Sequence, residues 1–217
     1  MGQIFFRKPF KYTYNKTTFV IIFVNLAVFF LGYFLPKANN YIYTYGSLNP
    51  VLVAKYHMYW QFVTYMFVHQ NISHIFFNMF GLLIFGLQVE RAVGSKEFLL
   101  FYFICGITDG IFSFLVYYFT GNYRTFLMGA SGAIYALLFA FAVVYPKSII
   151  YVWGIIPLPA PLMVFVYTLI EVGSQLLGRS ANVAHLTHLF GFASAWLYFL
   201  IRMKVNPLKV WKNAYRN

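Results

Sequence analysis

This 217-residue chain predicts an all-α membrane protein whose helices cross the bilayer six times, and three observations predict it. The composition is 61% hydrophobic and only 9% charged, with mean hydropathy +0.69, far from soluble globular usage. The apolar residues gather into six runs, each near the ~20 residues that cross a hydrocarbon core. The basic residues collect in the short segments between those runs, with a strong bias to one side.

The runs cover roughly 19–35, 72–89, 98–119, 126–145, 160–178 and 183–203. They read as helices because backbone groups in lipid must be satisfied internally and the strand alternation of a barrel is missing. Residues 1–18 read as a cytoplasmic tail, 19–203 as one helical domain and 204–217 as a basic cytoplasmic tail. The first run has the basic start of a signal peptide, but no small-x-small site follows Leu35, which favours a retained helix. From Pro36 to about Asn71 runs the longest outer segment. It carries Tyr41, Tyr43, Tyr45, Tyr56, Tyr59 and Trp60, side chains that prefer the membrane–water interface, so part of this loop is expected within the outer leaflet. Pro157, Pro159 and Pro161 rule out a regular helix between the fourth and fifth runs.

Charge then sets orientation. With a cytoplasmic N-terminus, the inner segments hold Arg7, Lys8, Lys11, Lys16, Arg91, Lys96, Lys147, Arg202, Lys204, Lys209, Lys212 and Arg216. The outer ones hold Lys37, Lys55, Arg124 and Arg179. This asymmetry places both termini inside and accounts for the +12 net charge without a nucleic-acid partner. The short termini and the lack of an organelle presequence point to a bacterial inner membrane. Cys105, the single cysteine, allows no intramolecular disulfide and reads as a small buried hydrophobe.

Runs two, four and six all descend from the outer side, and each carries polar residues near its start. His74 and Asn78 fall in the first two turns of run two, Ser131 about one turn into run four, and His188 about one turn into run six. At 1.5 Å per residue all four lie within roughly 10 Å of the outer helix starts. Ionisable groups at that depth are costly and point to function. A serine hydroxyl becomes nucleophilic when a histidine takes its proton. Attack on an amide carbonyl creates an oxyanion that needs preplaced donors. The backbone around Ser131 offers some, and His74 with Asn78, spaced i and i+4, offer more. Gly129 and Gly132 permit an irregular helix entry and close backbone approach.

Two histidines compete for the base. From His188, positions i+3 and i+7 are Gly191 and Ala195, a small-residue stripe that Ala133, Ala136 and Ala140 can face. From His185 the same positions are His188 and Phe192, which would hold the helices apart. His188 is therefore the expected base and His185 a supporting or interfacial residue. Tyr135, one turn below Ser131, reads as core packing by default, on a face that also allows stacking near that base.

The chain at this point resembles the rhomboid intramembrane serine proteases over nearly all its length. The matching motifs are His74-x-x-x-Asn78, Gly129-x-Ser131-Gly132 and His188-x-x-Gly191, with His69 before the first and Glu90-Arg91 closing run two. The resemblance implies a six-helix bundle around a cavity open to the outside, and a Ser131–His188 dyad without a catalytic acid. It implies that His74, Asn78 and the Ser131 backbone stabilise the oxyanion and that Tyr135 packs on the imidazole. The substrates implied are single-pass membrane proteins, cut near the membrane boundary, with no cofactor. Two departures bear on loop anchoring and packing rather than chemistry: Trp60-Gln61 where many relatives have Trp-Arg, and Ala195 where glycine is common.

Asp109 and Glu171 are the only acids inside the runs. Asp109 is too deep to orient His188 easily. Glu171 is closer in depth, which leaves a third catalytic member open, although a structural hydrogen bond is the expectation for both. His69, His74, His185 and His188 could be imagined as zinc ligands, but no His-Glu-x-x-His is present. The rival readings are a non-catalytic binder of transmembrane helices, whose signature would be loss of Ser131 or His188, and a small-solute channel, which only Asp109 weakly favours.

Overall fold

Where the six apolar runs were expected, the computed structural model has helices, and it describes residues 10–152, 154–176 and 184–216, with the side chains of 176, 184 and 185 excluded. Helix α1 is Thr17–Phe34. The loop after it carries three short helices, α2 (Pro36–Tyr41), α3 (Pro50–Tyr56) and α4 (Gln61–Thr64). Next come α5 (Ile72–Gly81) and α6 (Leu87–Val93), which run on through a widened turn at Leu82–Gly86 as one helix of 22 residues. The remaining helices are α7 (Ser95–Phe119), α8 (Ser131–Val144), α9 (Ala160–Leu176), α10 (Ala184–Ile201) and α11 (Pro207–Ala214). Thr17–Phe34, Ile72–Val93 and Ser95–Phe119 are each long and apolar enough to cross a membrane, and α8, α9 and α10 are shorter apolar helices.

The outward faces are apolar: Phe23, Phe34, Phe77 and Phe119 are all more than half exposed. Small and polar residues turn inward, among them Thr18, Asn25, Ser113, Ala136, Ala140 and Ala195. That inversion suits a lipid surround, where helices associate through close packing and hydrogen bonds rather than through a hydrophobic drive. Helix α10 packs most extensively on α8 and α7 and forms the centre of the bundle.

Two buried glutamates tie one end of the bundle. Glu90 accepts from Thr17 N (2.6 Å), Thr18 N (2.9 Å), Thr18 Oγ1 (2.7 Å) and Ser95 Oγ (2.5 Å). A carboxylate thus satisfies orphan donors at the start of α1, where the helix dipole also favours negative charge. Glu97 receives both forks of Arg202, Nε at 2.7 Å and Nη2 at 3.0 Å, and the Tyr198 hydroxyl.

Three segments carry structure that the sequence reading did not specify. The run at 126–145 yields a helix that starts only at Ser131. Upstream, Leu127 bridges to Leu48 by two hydrogen bonds of 2.9 Å, and Gly129 has φ 105°, so the chain enters extended. The proline-bearing connection forms an antiparallel hairpin, β1 (Ile149–Val152) with β2 (Ile156–Pro159). The basic tail is no loose end: α11 is capped by Asn206 and returns to α8, with Trp211 Nε1 donating to Ala142 O at 2.9 Å.

In the loop between α1 and α5 Gln61, fully buried, answers the Trp60-Gln61 departure. Its Oε1 accepts from Asn49 N (3.0 Å) and its Nε2 donates to Thr44 O (3.2 Å), while Trp60 Nε1 donates to Tyr45 O (3.0 Å). A neutral amide does this knitting because it donates and accepts at once.

Candidate active site

Ser131 is the first residue of α8, a turn earlier than the sequence suggested, because Gly129 and Ala130 leave the helical path just before it. The positive φ at Gly129 is one that side chains disfavour, and space forbids one as well: a Cβ there would lie 2.5 Å from His74 Nε2. The Gly129 amide donates to Tyr65 O at 2.9 Å, which pins the strand-like entry to the loop between α1 and α5. The first-turn amides of α8 consequently open beside the Ser131 hydroxyl, with no side-chain cap to occupy them.

His188 faces that hydroxyl from α10, with Nε2 3.2 Å from Ser131 Oγ. The two helices can come this close because a glycine sits at their crossing. A Cβ on Gly191 would lie 2.3 Å from Gly132 O. Ala133, Ala136, Ala140 and Ala195 continue the small surface and are all essentially inaccessible. The Tyr135 ring stacks flat on the imidazole, centroids 4.2 Å apart and planes 6° from parallel. It holds the ring's tilt while leaving both nitrogens at the edges.

His74 and Asn78 stand on the opposite wall, on α5. Asn71 caps that helix by accepting from His74 N at 2.8 Å. Asn78 Nδ2 donates to His74 O at 2.9 Å, leaving its second N–H for another acceptor. The His74 Nδ1 side is met by the Gln70 amide at a long 3.5 Å, so Nε2 can carry its proton toward Gly129. His69 packs edge-on to His74, ring centroids 5.1 Å apart. Burial, with the neighbouring His74 adding to it, pushes the His69 imidazole down to about 3.

The two intramembrane acids part company. Asp109 lies behind α8, accepting from Tyr65 Oη at 3.1 Å, and it sits so close to Gly132 that a Cβ there would meet its Oδ2 at 2.1 Å. It buttresses the Ser131 helix from α7. Glu171 bonds to two side chains at once. Its Oε1 lies 2.9 Å from His188 Nδ1 and also accepts from Tyr135 Oη at 2.7 Å. A carboxylate thus stands behind the imidazole, where the family resemblance implied a dyad without a catalytic acid. The available signal was depth alone; the lateral position of α9 against α8 and α10 could not be read from the sequence. The side chain of His185 lies outside the described residues.

Chemically, the constellation is a hydroxyl beside an imidazole, with a carboxylate beyond it and amide, imidazole and carboxamide donors across from it. It suits acyl transfer.

Comparison with known proteins places the chain in a family. The family profile described as the rhomboid domain matches residues 56–205. Rhomboid protease GluP of Bacillus subtilis is 34% identical over 130 residues, 57% of this chain and 24% of that protein. RHOMBOID-like protein 1 of Arabidopsis thaliana is 28% identical over 160 residues, 72% of this chain and 39% of that protein. Rhomboid protease AarA of Providencia stuartii is 29% identical over 147 residues, 61% of this chain and 52% of that protein. The chain thus spans between a quarter and about half the length of these relatives. A profile that covers well over half the chain, on a bundle of apolar helices, makes this an integral membrane protein that belongs to the rhomboid family.

Proposed function

We propose that this protein is an intramembrane serine endopeptidase that cuts single-pass transmembrane proteins near the outer boundary of the membrane. The observation that supports it most is the 3.2 Å approach of His188 Nε2 to Ser131 Oγ, made from two different helices. Two relatives named as rhomboid proteases support the same class.

In this reading His188 takes the Ser131 proton as Oγ bonds to the scissile carbonyl carbon, and the carbonyl electron pair moves onto oxygen. The first-turn amides of α8, His74 and Asn78 hold that oxyanion. As the C–N bond breaks, His188 returns the proton to the departing amine, and the N-terminal fragment remains as an ester on Ser131. Water then adds with its proton going to His188, and the ester breaks with that proton returning to Oγ. No cofactor takes part.

The proposed membrane arrangement has six crossings. Runs α5–α6, α8 and α10 descend from the outer side, both termini are cytoplasmic, and the Tyr- and Trp-rich loop rests in the outer leaflet. The exposure of Tyr41, Tyr45, Tyr56, Tyr59 and Trp60 supports that last point. The site then lies just beneath the outer surface, where a substrate helix can unwind into it.

The test is cleavage of a generic single-pass substrate by purified protein in detergent or liposomes, beside Ser131→Ala and His188→Ala. Both variants should lose turnover, and a fluorophosphonate should label wild type but not Ser131→Ala. Label that persists on Ser131→Ala would remove Ser131 as the nucleophile.

A further inference from the structure

We infer that Glu171 is the positioning residue for His188, so that this chain runs its serine chemistry through a three-member relay, Ser131–His188–Glu171. The inference rests on the protease reading above and adds to it a member outside the expected dyad.

Three observations carry it. The first is geometry: Glu171 Oε1 is 2.9 Å from Nδ1, while the other ring nitrogen is 3.2 Å from Ser131 Oγ. The three groups lie in series, joined through the two nitrogens of one ring. A carboxylate only accepts, so it fixes the proton on Nδ1 and leaves the Nε2 lone pair toward the hydroxyl. The second is placement: Glu171 is buried at 4% exposure, in a region where an acid is costly to keep without a task. The third is its anchorage. Tyr135 Oη donates to the same Oε1 at 2.7 Å while the Tyr135 ring stacks on His188. One tyrosine therefore orients both partners of the pair, and Tyr167 packs edge-on against that tyrosine at 5.9 Å.

When Ser131 gives up its proton the imidazole becomes a cation. A carboxylate 2.9 Å from Nδ1 stabilises that cation and keeps the ring from rotating out of line. Among the described residues, the groups bearing on His188 are Ser131 and Tyr135 from α8, Glu171 from α9, Asp109 from α7 behind Gly132, and His74 from α5 across the site. Glu171 is the carboxylate in hydrogen-bond contact with the ring.

The experiment compares wild type, Ser131→Ala, Glu171→Gln, Glu171→Asp and Tyr135→Phe in the same detergent. It reads kcat and KM on a generic transmembrane substrate, the rate of fluorophosphonate labelling against pH, and thermal unfolding. For Glu171→Gln, kcat should fall about 10²–10⁴-fold with KM little changed, the pattern of a lost triad carboxylate. The acidic limb of its labelling profile should move down by about one pH unit, because the imidazolium has lost its stabilising charge. Glu171→Asp keeps the charge and should recover part of the rate. Tyr135→Phe should move the limb the other way, since a carboxylate relieved of one donor attracts the imidazolium more strongly.

A purely structural glutamate would change unfolding temperature and leave the acidic limb where it was, and that result overturns the inference. If Glu171→Gln does not fold, Tyr135→Phe decides: a limb that stays put overturns the inference, and one that rises supports it. If Ser131→Ala is dead while Glu171→Gln matches wild type, the protease reading stands and the relay alone fails. If wild type neither cleaves nor labels, the protease reading fails and takes the relay with it.

Discussion

Gly191 of α10 meets the backbone carbonyl of Gly132 in α8 with no room for a methyl group between them; a Cβ would stand 2.3 Å from that oxygen. This contact lies one turn below the Ser131–His188 pair and sets the distance across it. Backbone oxygen cannot swing aside as a flexible side chain can, so any larger residue must part the helices.

Gly191→Ala is therefore expected to keep the fold and lose the chemistry. A displacement of about 1 Å at the reacting groups can cost roughly 10²-fold in rate. Turnover should fall by that order while unfolding temperature drops only slightly, and Gly191→Val should be worse in both. An alanine variant with wild-type turnover would mean that the helix crossing does not set the site's spacing.

Asn78→Ala should lower kcat with KM nearly unchanged. Loss of a single oxyanion donor typically costs about 10²–10³-fold. The carboxamide's visible partner is His74 O at 2.9 Å within the same helix, so the fold should tolerate its removal. A change confined to KM would assign Asn78 to ground-state binding.

Glu90→Ala should destabilise without touching the mechanism. Its carboxylate satisfies two amides and two hydroxyls, three of the four donors on the first two residues of α1. Leaving such groups unpaired in the interior should cost about 3 kcal/mol. Glu90→Gln, which keeps the shape but not the charge, should fall between. Urea or thermal unfolding in detergent, with kcat measured on the surviving folded fraction, checks both halves of this statement.

His69 gives the fold a sensitivity to acid. Burial holds its folded-state value at about 3, against an ordinary value of 6.5. Below 6.5 the unfolded chain binds the proton more readily, so stability falls as pH drops from there and levels off near 3. Above 6.5 the imidazole is neutral in both states and the effect vanishes. His69→Gln should show a shallower loss of unfolding temperature between pH 6.5 and 4 than wild type. Parallel curves for the two proteins would place the acid sensitivity elsewhere.

The sequence by itself determined the apolar runs, their order, and the placement of His74, Asn78, Ser131 and His188 near the starts of three of them. Those features follow from bilayer thickness, helix rise and the cost of buried polarity, all of which act residue by residue along the chain. It also pointed to His188 over His185, since Gly191 and Ala195 mark the face able to approach α8 closely. Only the tertiary structure decided three matters. Ser131 opens its helix because Leu127 is bridged to Leu48 and Gly129 is bonded to Tyr65, partners dozens of residues away. The tail folds back because Trp211 finds the Ala142 carbonyl. Glu171 reaches His188 because of where α9 sits around the bundle. Depth is written along a helix by its own periodicity, whereas lateral neighbours depend on how several helices pack at once, and no single segment carries that information.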